Sequence, residues 1–377
     1  MTIPRQNNFD LLRLIFASVV VLYHCHDLSL NTTYSWIPFV ASSRLAVEGF
    51  FAMSGFLIVG SFDQNPAMIV YFQKRARRLL PAYWAALIFT LILALVWSSL
   101  SPEALLRSPS TWKYILADLT FLNFLHPTLP GLFTHNPAMP AVNGALWTIK
   151  VEIMFYLLVP AIVVCCRRLG RWQTLGAIYL ISITFRALCS HLNRPSLSIQ
   201  LPGQLCFFAV GALVYFYYPL FRKHRIWMWL IAIISYSLSL YLGWIIFRAV
   251  GVALGVMCLG LLLPYRRGLT KYGDFSYGTY VFHFPVIQIF VSLGIVSAFP
   301  NMALGLILFT VGLIATASWN FIEKPFLRRI KAPACSESPS PQRLTAIPST
   351  APVSVVRTAH HAAESTGADA VDVVGHS

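Results

Sequence analysis

The chain has 377 residues, of which 57% are hydrophobic and only 11% charged, with a formal net charge of +15. Soluble domains carry about 25% charged residues, so this composition excludes a water-soluble globular protein and identifies an integral membrane protein. The positive surplus would point to nucleic acid in a soluble chain. Here the loops account for it, and no nucleic-acid partner is expected.

Apolar runs long enough to span a bilayer, about 20 residues, fall at 9–25, 44–62, 79–100, 145–166, 172–190, 200–218, 226–247, 249–264, 274–296 and 302–322. They are continuous and do not alternate, which excludes a β-barrel. The fold class is all-α: a polytopic, multi-pass transmembrane helical bundle of about ten spans. The first run lacks a small-residue cleavage site and reads as a span, not a signal peptide. Seven cysteines lie mostly inside the runs with no CxxC spacing. They read as packing residues, with no disulfide and no metal site.

The first run, "LLRLIFASVVVLYHCHD" (11–27), carries Arg13 and His24. Ionisable groups at membrane depth cost about 2.5–3.5 kcal/mol each on insertion scales, so each asks for a reason. Eleven residues make three helical turns plus about 20°, which puts both on one face, about 16 Å apart along the axis. In the second run, "VEGFFAMSGFLI" (47–58) places Glu48 near one end and Ser54 and Gly55 inside. Small residues there mean close helix packing or the wall of a pocket. "FQKRARRLLPAYW" (72–84) follows, with Lys74, Arg75, Arg77 and Arg78 read as a loop and Pro81 in the first turn of the third span. These cations mark an inner loop or a phosphate site, because the arginine fork fits phosphate oxygens.

The proline-rich connection 101–143 contains "TWKYILADLTFLNFL" (111–125), too short to span and read as a re-entrant or interfacial helix. The fourth span opens with "NGALWTIKVEIMFYLLVP" (143–160). Lys150 and Glu152 are two apart and do not share a face, so Glu152 is expected to meet a partner on another helix. The ninth span, "DFSYGTYVFHFPV" (274–286), holds His283 in mid-membrane beside Pro285. Such a histidine is a functional candidate or a hydrogen-bonded structural residue.

Lysines and arginines give the orientation. The N-terminus, every second connection and the segment after the last span carry eighteen of them. The other connections carry six: Arg44, Arg107, Lys113, Arg186, Arg194 and Arg248. Both termini are therefore expected in the cytoplasm, with Arg13 toward the inside and His24 toward the outside. Beyond residue 331 the chain is rich in Ser, Pro, Ala and Thr with no helical period, and 332–377 reads as a disordered cytoplasmic tail.

Taken together, these stretches resemble the acyltransferase-3 family of membrane acyltransferases. Arg13 and His24 match its Arg-x10-His pair, and "FFAMSGFLI" (50–58) its Phe-Phe-x-x-Ser-Gly-Phe stretch. "RARRLLPAYW" (75–84) is similar to Arg-x-x-Arg-x-x-Pro, giving Arg75, Arg78 and Pro81. "LWTIKVEIMFYLLVP" (146–160) aligns Trp147, Glu152, Phe155 and Tyr156. "SYGTYVFHFPV" (276–286) resembles the Ser-Tyr-x-x-Tyr-x-x-His-x-Pro motif, and "EKPF" (323–326) the closing signature. Two positions depart: the acid before the Phe-Phe pair is Glu48, where an Asp one place later is commoner, and Ile153 stands where a second Glu is frequent.

The resemblance implies a transmembrane acyltransferase domain over 1–331, of the form without an appended extracytoplasmic hydrolase-like domain, in a bacterial inner membrane. It implies O-acyl transfer, with acetyl as the usual group, from cytoplasmic acyl-CoA to a hydroxyl of a cell-surface or exported carbohydrate. Acyl-CoA would be a substrate, with no permanently bound cofactor. His24 and Glu152 would be the catalytic pair, with His24 as general base. Arg13, Arg75 and Arg78 would bind the donor, and Ser54, Gly55, Trp147, Tyr156 and His283 would line the path. The alternatives are a non-sugar acceptor, or a proton-coupled carrier, which buried His, Glu and Arg would also suit.

Overall fold

Each of the ten apolar runs forms a helix in the computed structural model, which describes residues 6–266 and 268–328. In chain order these are α1 (Phe9–Ser29), α2 (Ser43–Gln64), α3 (Met68–Trp97), α4 (Trp147–Leu169) and α5 (Arg171–His191). Then come α6 (Leu201–Phe216), α7 (Arg225–Leu242), α8 (Ile245–Leu261), α9 (Ser276–Ser292) and α10 (Pro300–Ala317). Seven helical stretches are long and apolar enough to cross a membrane by length and composition. The other three, α5, α8 and α9, are shorter or more polar. No strand occurs among the described residues. The expected tail, 332–377, lies outside them.

The exterior is apolar, as hydrocarbon surroundings require. Helix α7 turns Ile226, Trp227, Ile233 and Leu240 outward, each more than half exposed, and buries Ala232, Ser235 and Ser239. Small residues then let backbones meet. A Cβ on Gly55 would overlap the Phe208 carbonyl, and one on Gly211 the Ala52 carbonyl, so α2 and α6 pack backbone to backbone. Gly55 is therefore a packing residue in this structure. Successive residues turn by about 100°, so its neighbour Ser54 faces a cavity instead. Helix α2 is central, against α1, α4, α6 and α8, while α9 packs on α1, α3 and α10.

The prolines shape the elements near the site. Helix α3 starts at Met68, just beyond Pro66, so Lys74, Arg75, Arg77 and Arg78 lie on a helix and not in a loop, and Pro81 is internal. The stop signal is Pro66, and the Arg, Leu and Ala residues that follow are good helix formers. Pro160 and Pro285 each lack the N–H that would bond the carbonyl four residues earlier. Other helices and loops supply the missing donors: Tyr71 Oη donates to Tyr156 O (3.1 Å) and Asn143 Nδ2 to Val281 O (2.8 Å). The connection before α4 is further clasped to α9 through Asn136 and Gln288 (2.7 Å).

The 111–125 stretch contains an eleven-residue helix, Pro109–Leu119, followed by turns. It lies on α3, where Tyr83 Oη donates to Asp118 O (2.9 Å). Burial pushes the Asp118 carboxyl up to about 6, and its Oδ2 has no partner. Past Ala317 the helix widens into a π-turn, Ser318–Glu323, a form often found at functional sites. It turns Ser318 and Glu323 inward, both buried.

Candidate active site

Packing of α1 on α9 brings together two histidines 259 residues apart. His24 Nδ1 lies 2.8 Å from His283 Nε2, with the rings stacked at 5.0 Å and 18°. His283 is fully buried, and its Nδ1 lies 2.7 Å from the Tyr280 carbonyl. A carbonyl only accepts, so His283 Nδ1 carries the proton. In the neutral ring Nε2 is then an acceptor, and His24 Nδ1 must donate to it. These tautomers, assigned from the network, leave a lone pair on His24 Nε2, which has no hydrogen-bond partner among the described residues. His283 thus stands behind His24 and is absent from the linings of the two cavities beside it.

Two cavities share part of their lining. One, of about 220 Å³, is lined by His24, Trp147, Glu48, Arg44, Arg186 and Gln204. The other, of about 190 Å³, is lined by Arg13, Arg75, Arg78, Ser54, Glu152 and Tyr156. Val47 and Tyr280 border both. Tyr280 Oη shares a hydrogen bond with Thr148 Oγ1 at 2.7 Å, which ties α9 to α4 at the partition.

The three arginines expected to act together do share one cavity, but they are not equivalent. Arg78 is held by Asp274 (2.5 Å) and Glu323 (3.3 Å) and lies over the Tyr277 ring. Asp274 also accepts from the backbone N–H and the Oγ of Ser276. Arg13 pairs with Asp10 at 2.8 Å. Arg75 donates to Ser61 Oγ (2.8 Å) and lies over the rings of Tyr71 and Tyr156. It makes no ion pair among the described residues, and its Nε is buried without a partner. Arg75 is therefore the cation most available to an anionic ligand.

Among the described residues Glu152 makes no hydrogen bond or ion pair to another helix. It accepts from Tyr156 Oη at 2.5 Å, one turn along α4, because residues four apart share a helix face. It faces the arginine cavity, and the ring that holds His24 is His283. Lys150 lies away from both, bonded to Gln200 (2.6 Å) and over the Phe124 ring. Trp147 borders the His24 cavity, while Ser54 and Tyr156 border the other. Sequence reasoning missed Asp274, Glu323, Tyr280, Arg186 and Gln204 as site residues. Tyr280 and Glu323 lie inside the motif stretches, but nothing in their spacing names their partners.

A family model described as an acyltransferase domain matches residues 6–322. The chain is 25% identical over 347 residues to an O-acetyl transferase of Shigella phage Sf6, covering 86% of this chain and 97% of that one. It is 27% identical over 358 residues to nodulation protein 10 of Rhizobium leguminosarum bv. viciae, covering 86% and 94%. It is also 22% identical to O-acetyltransferase OatA of Staphylococcus aureus, over 85% of this chain and 57% of that longer one. No solved structure matches. The family match decides against the carrier alternative.

Proposed function

Because the chain belongs to the acyltransferase domain family, we propose that it carries an acetyl group from cytoplasmic acetyl-CoA to a hydroxyl of a cell-envelope carbohydrate. The observation that carries this reading is the pair of cavities, one lined by arginines and one by His24, bordering at Val47 and Tyr280. In this reading the protein has ten spans in a bacterial inner membrane with both termini inside, and the lysine and arginine bias supports a cytoplasmic side for the arginine cavity. The names of the relatives support O-acetyl transfer, and that of the putative peptidoglycan O-acetyltransferase of Bacillus subtilis supports an envelope acceptor.

In this reading Arg75 holds donor phosphate by charge-assisted hydrogen bonds, with Arg13 beside it and Arg78 in support. The pantetheine arm reaches past Val47 and Tyr280 and delivers the thioester to His24. The acceptor oxygen attacks the thioester carbonyl while His24 Nε2 takes the hydroxyl proton. The C–O bond forms, the C–S bond breaks, and the departing thiolate recovers the proton from His24. Glu152, hydrogen-bonded to Tyr156, shapes the donor cavity. Transfer from labelled acetyl-CoA, measured in membranes, tests the assignment. His24→Ala at normal folded abundance is expected to lose about 10²–10⁴-fold in rate, and a wild-type rate would remove His24 as the base.

A further inference from the structure

Of the six cations assigned to the outer side, Arg44 and Arg186 line the His24 cavity, and a third, Arg248, reaches Glu48 in its wall. Arg44 and Arg248 flank the carboxylate of Glu48, with Arg44 Nε at 3.0 Å and Arg248 Nε at 2.8 Å. Glu48 is 2% exposed. Arg186 is buried in α5, where Nη1 donates to the carbonyls of Gly203 (3.0 Å) and Ser198 (3.4 Å). Arg186 and Arg44 also border an adjoining cavity of about 550 Å³ that reaches Trp244. Two cations therefore share one carboxylate, while Arg186 beside them has only carbonyl partners.

A purely structural network would be expected to close its charge. Burying a guanidinium against neutral carbonyls is costly, and two cationic neighbours add repulsion. A site for a neutral carbohydrate needs none of this. A second observation points to a ligand: Gln204 Oε1, on a side chain 97% buried in the wall of the same cavity, has no hydrogen-bond partner. A side-chain rotation toward the cavity would let it accept from a hydroxyl or amide N–H of a bound molecule. We propose that the His24 cavity takes an acceptor bearing an anionic group, phosphate or carboxylate, held by Arg186 and Arg44 while its hydroxyl faces His24. The surplus charge then becomes part of acceptor selection, with Glu48 fixing the arginines in place. The inference rests on the acceptor entering the His24 cavity, but not on the donor assignment.

The test uses the full chain in phosphatidylcholine nanodiscs, titrated with glucose 1-phosphate, glucuronate and glucose. At least one anionic probe is expected to bind about tenfold tighter than glucose, the scale of one charge-assisted hydrogen bond, and the tighter anion names the group. Arg44 is largely exposed and Glu48 keeps Arg248 as partner, so R44Q should fold. R44Q should weaken anion binding about fivefold and leave CoA affinity unchanged, whereas R75A should do the reverse. Equal binding of the three probes, indifference to R44Q, or loss of anion binding on R75A would overturn the proposal. Failure to bind CoA, with R44Q-sensitive anion binding intact, would remove the donor reading and leave this one standing.

Discussion

The histidine pair makes a quantitative prediction. Replacing His283 by Leu removes the acceptor for His24 Nδ1–H, now 2.8 Å away. Two outcomes follow: the proton stays on Nδ1 in an apolar site, or it moves to Nε2 and blocks the base. An unpaired buried donor costs about 1–3 kcal/mol, which is about 5- to 160-fold in rate. His283→Gln keeps a carbonyl oxygen near the position of Nε2 and should recover most of that loss. Transfer from labelled acetyl-CoA, normalised to folded protein by fluorescence-detected size exclusion, reads both variants. Because the donor cavity lies elsewhere, kcat should fall while KM for acetyl-CoA holds. A wild-type kcat in His283→Leu, or a Gln variant as slow as Leu, would refute the tautomer argument.

Other outcomes follow from single contacts. Arg78→Ala strands Asp274 and Glu323, and losing the partner of buried charges costs about 3–5 kcal/mol. Folded yield should collapse, whereas Arg75→Ala should keep its yield and bind acetyl-CoA weakly. Asn143→Leu leaves the Val281 carbonyl, freed by Pro285, without a donor, and should lower thermal stability by about 1–3 kcal/mol. Asp118, raised to about 6 by burial, holds a proton that the unfolded chain releases from about pH 4. Wild-type stability should therefore fall as pH rises from about 4 to 6, by on the order of 3 kcal/mol. Asp118→Asn should flatten that slope in thermal melts.

The ten helices were legible because hydrocarbon demands long contiguous apolar runs, and every run carries that mark by itself. The spacing of Arg13 and His24 was legible because it depends only on helix geometry. Partnerships between helices were not. His283 looked like a lone ring because nothing in its own stretch says that α1 lies against α9. Glu152 was assigned a distant partner when Tyr156 on the next turn satisfied it. Ser54 and Gly55 read alike until the packing of α6 separated one face from the other. Arg78 looked like a third donor cation because the acids that neutralise it, Asp274 and Glu323, come nearly 200 and 245 residues later. Pro81 misled because a proline at a helix start and one inside a helix look the same without the preceding turn.

The partition formed by Val47 and Tyr280 has an electrical consequence. If the two cavities open toward opposite faces, as the proposed reading requires, most of the transmembrane potential would drop across this thin layer. Moving one elementary charge through it would cost about 2.3 kcal/mol per 100 mV. A thioester is uncharged, so its acetyl group would pass this layer without electrical work, while the nucleotide phosphates stay behind. In the proposed reading, an envelope hydroxyl is acetylated from an internal thioester with no charge moved across this layer.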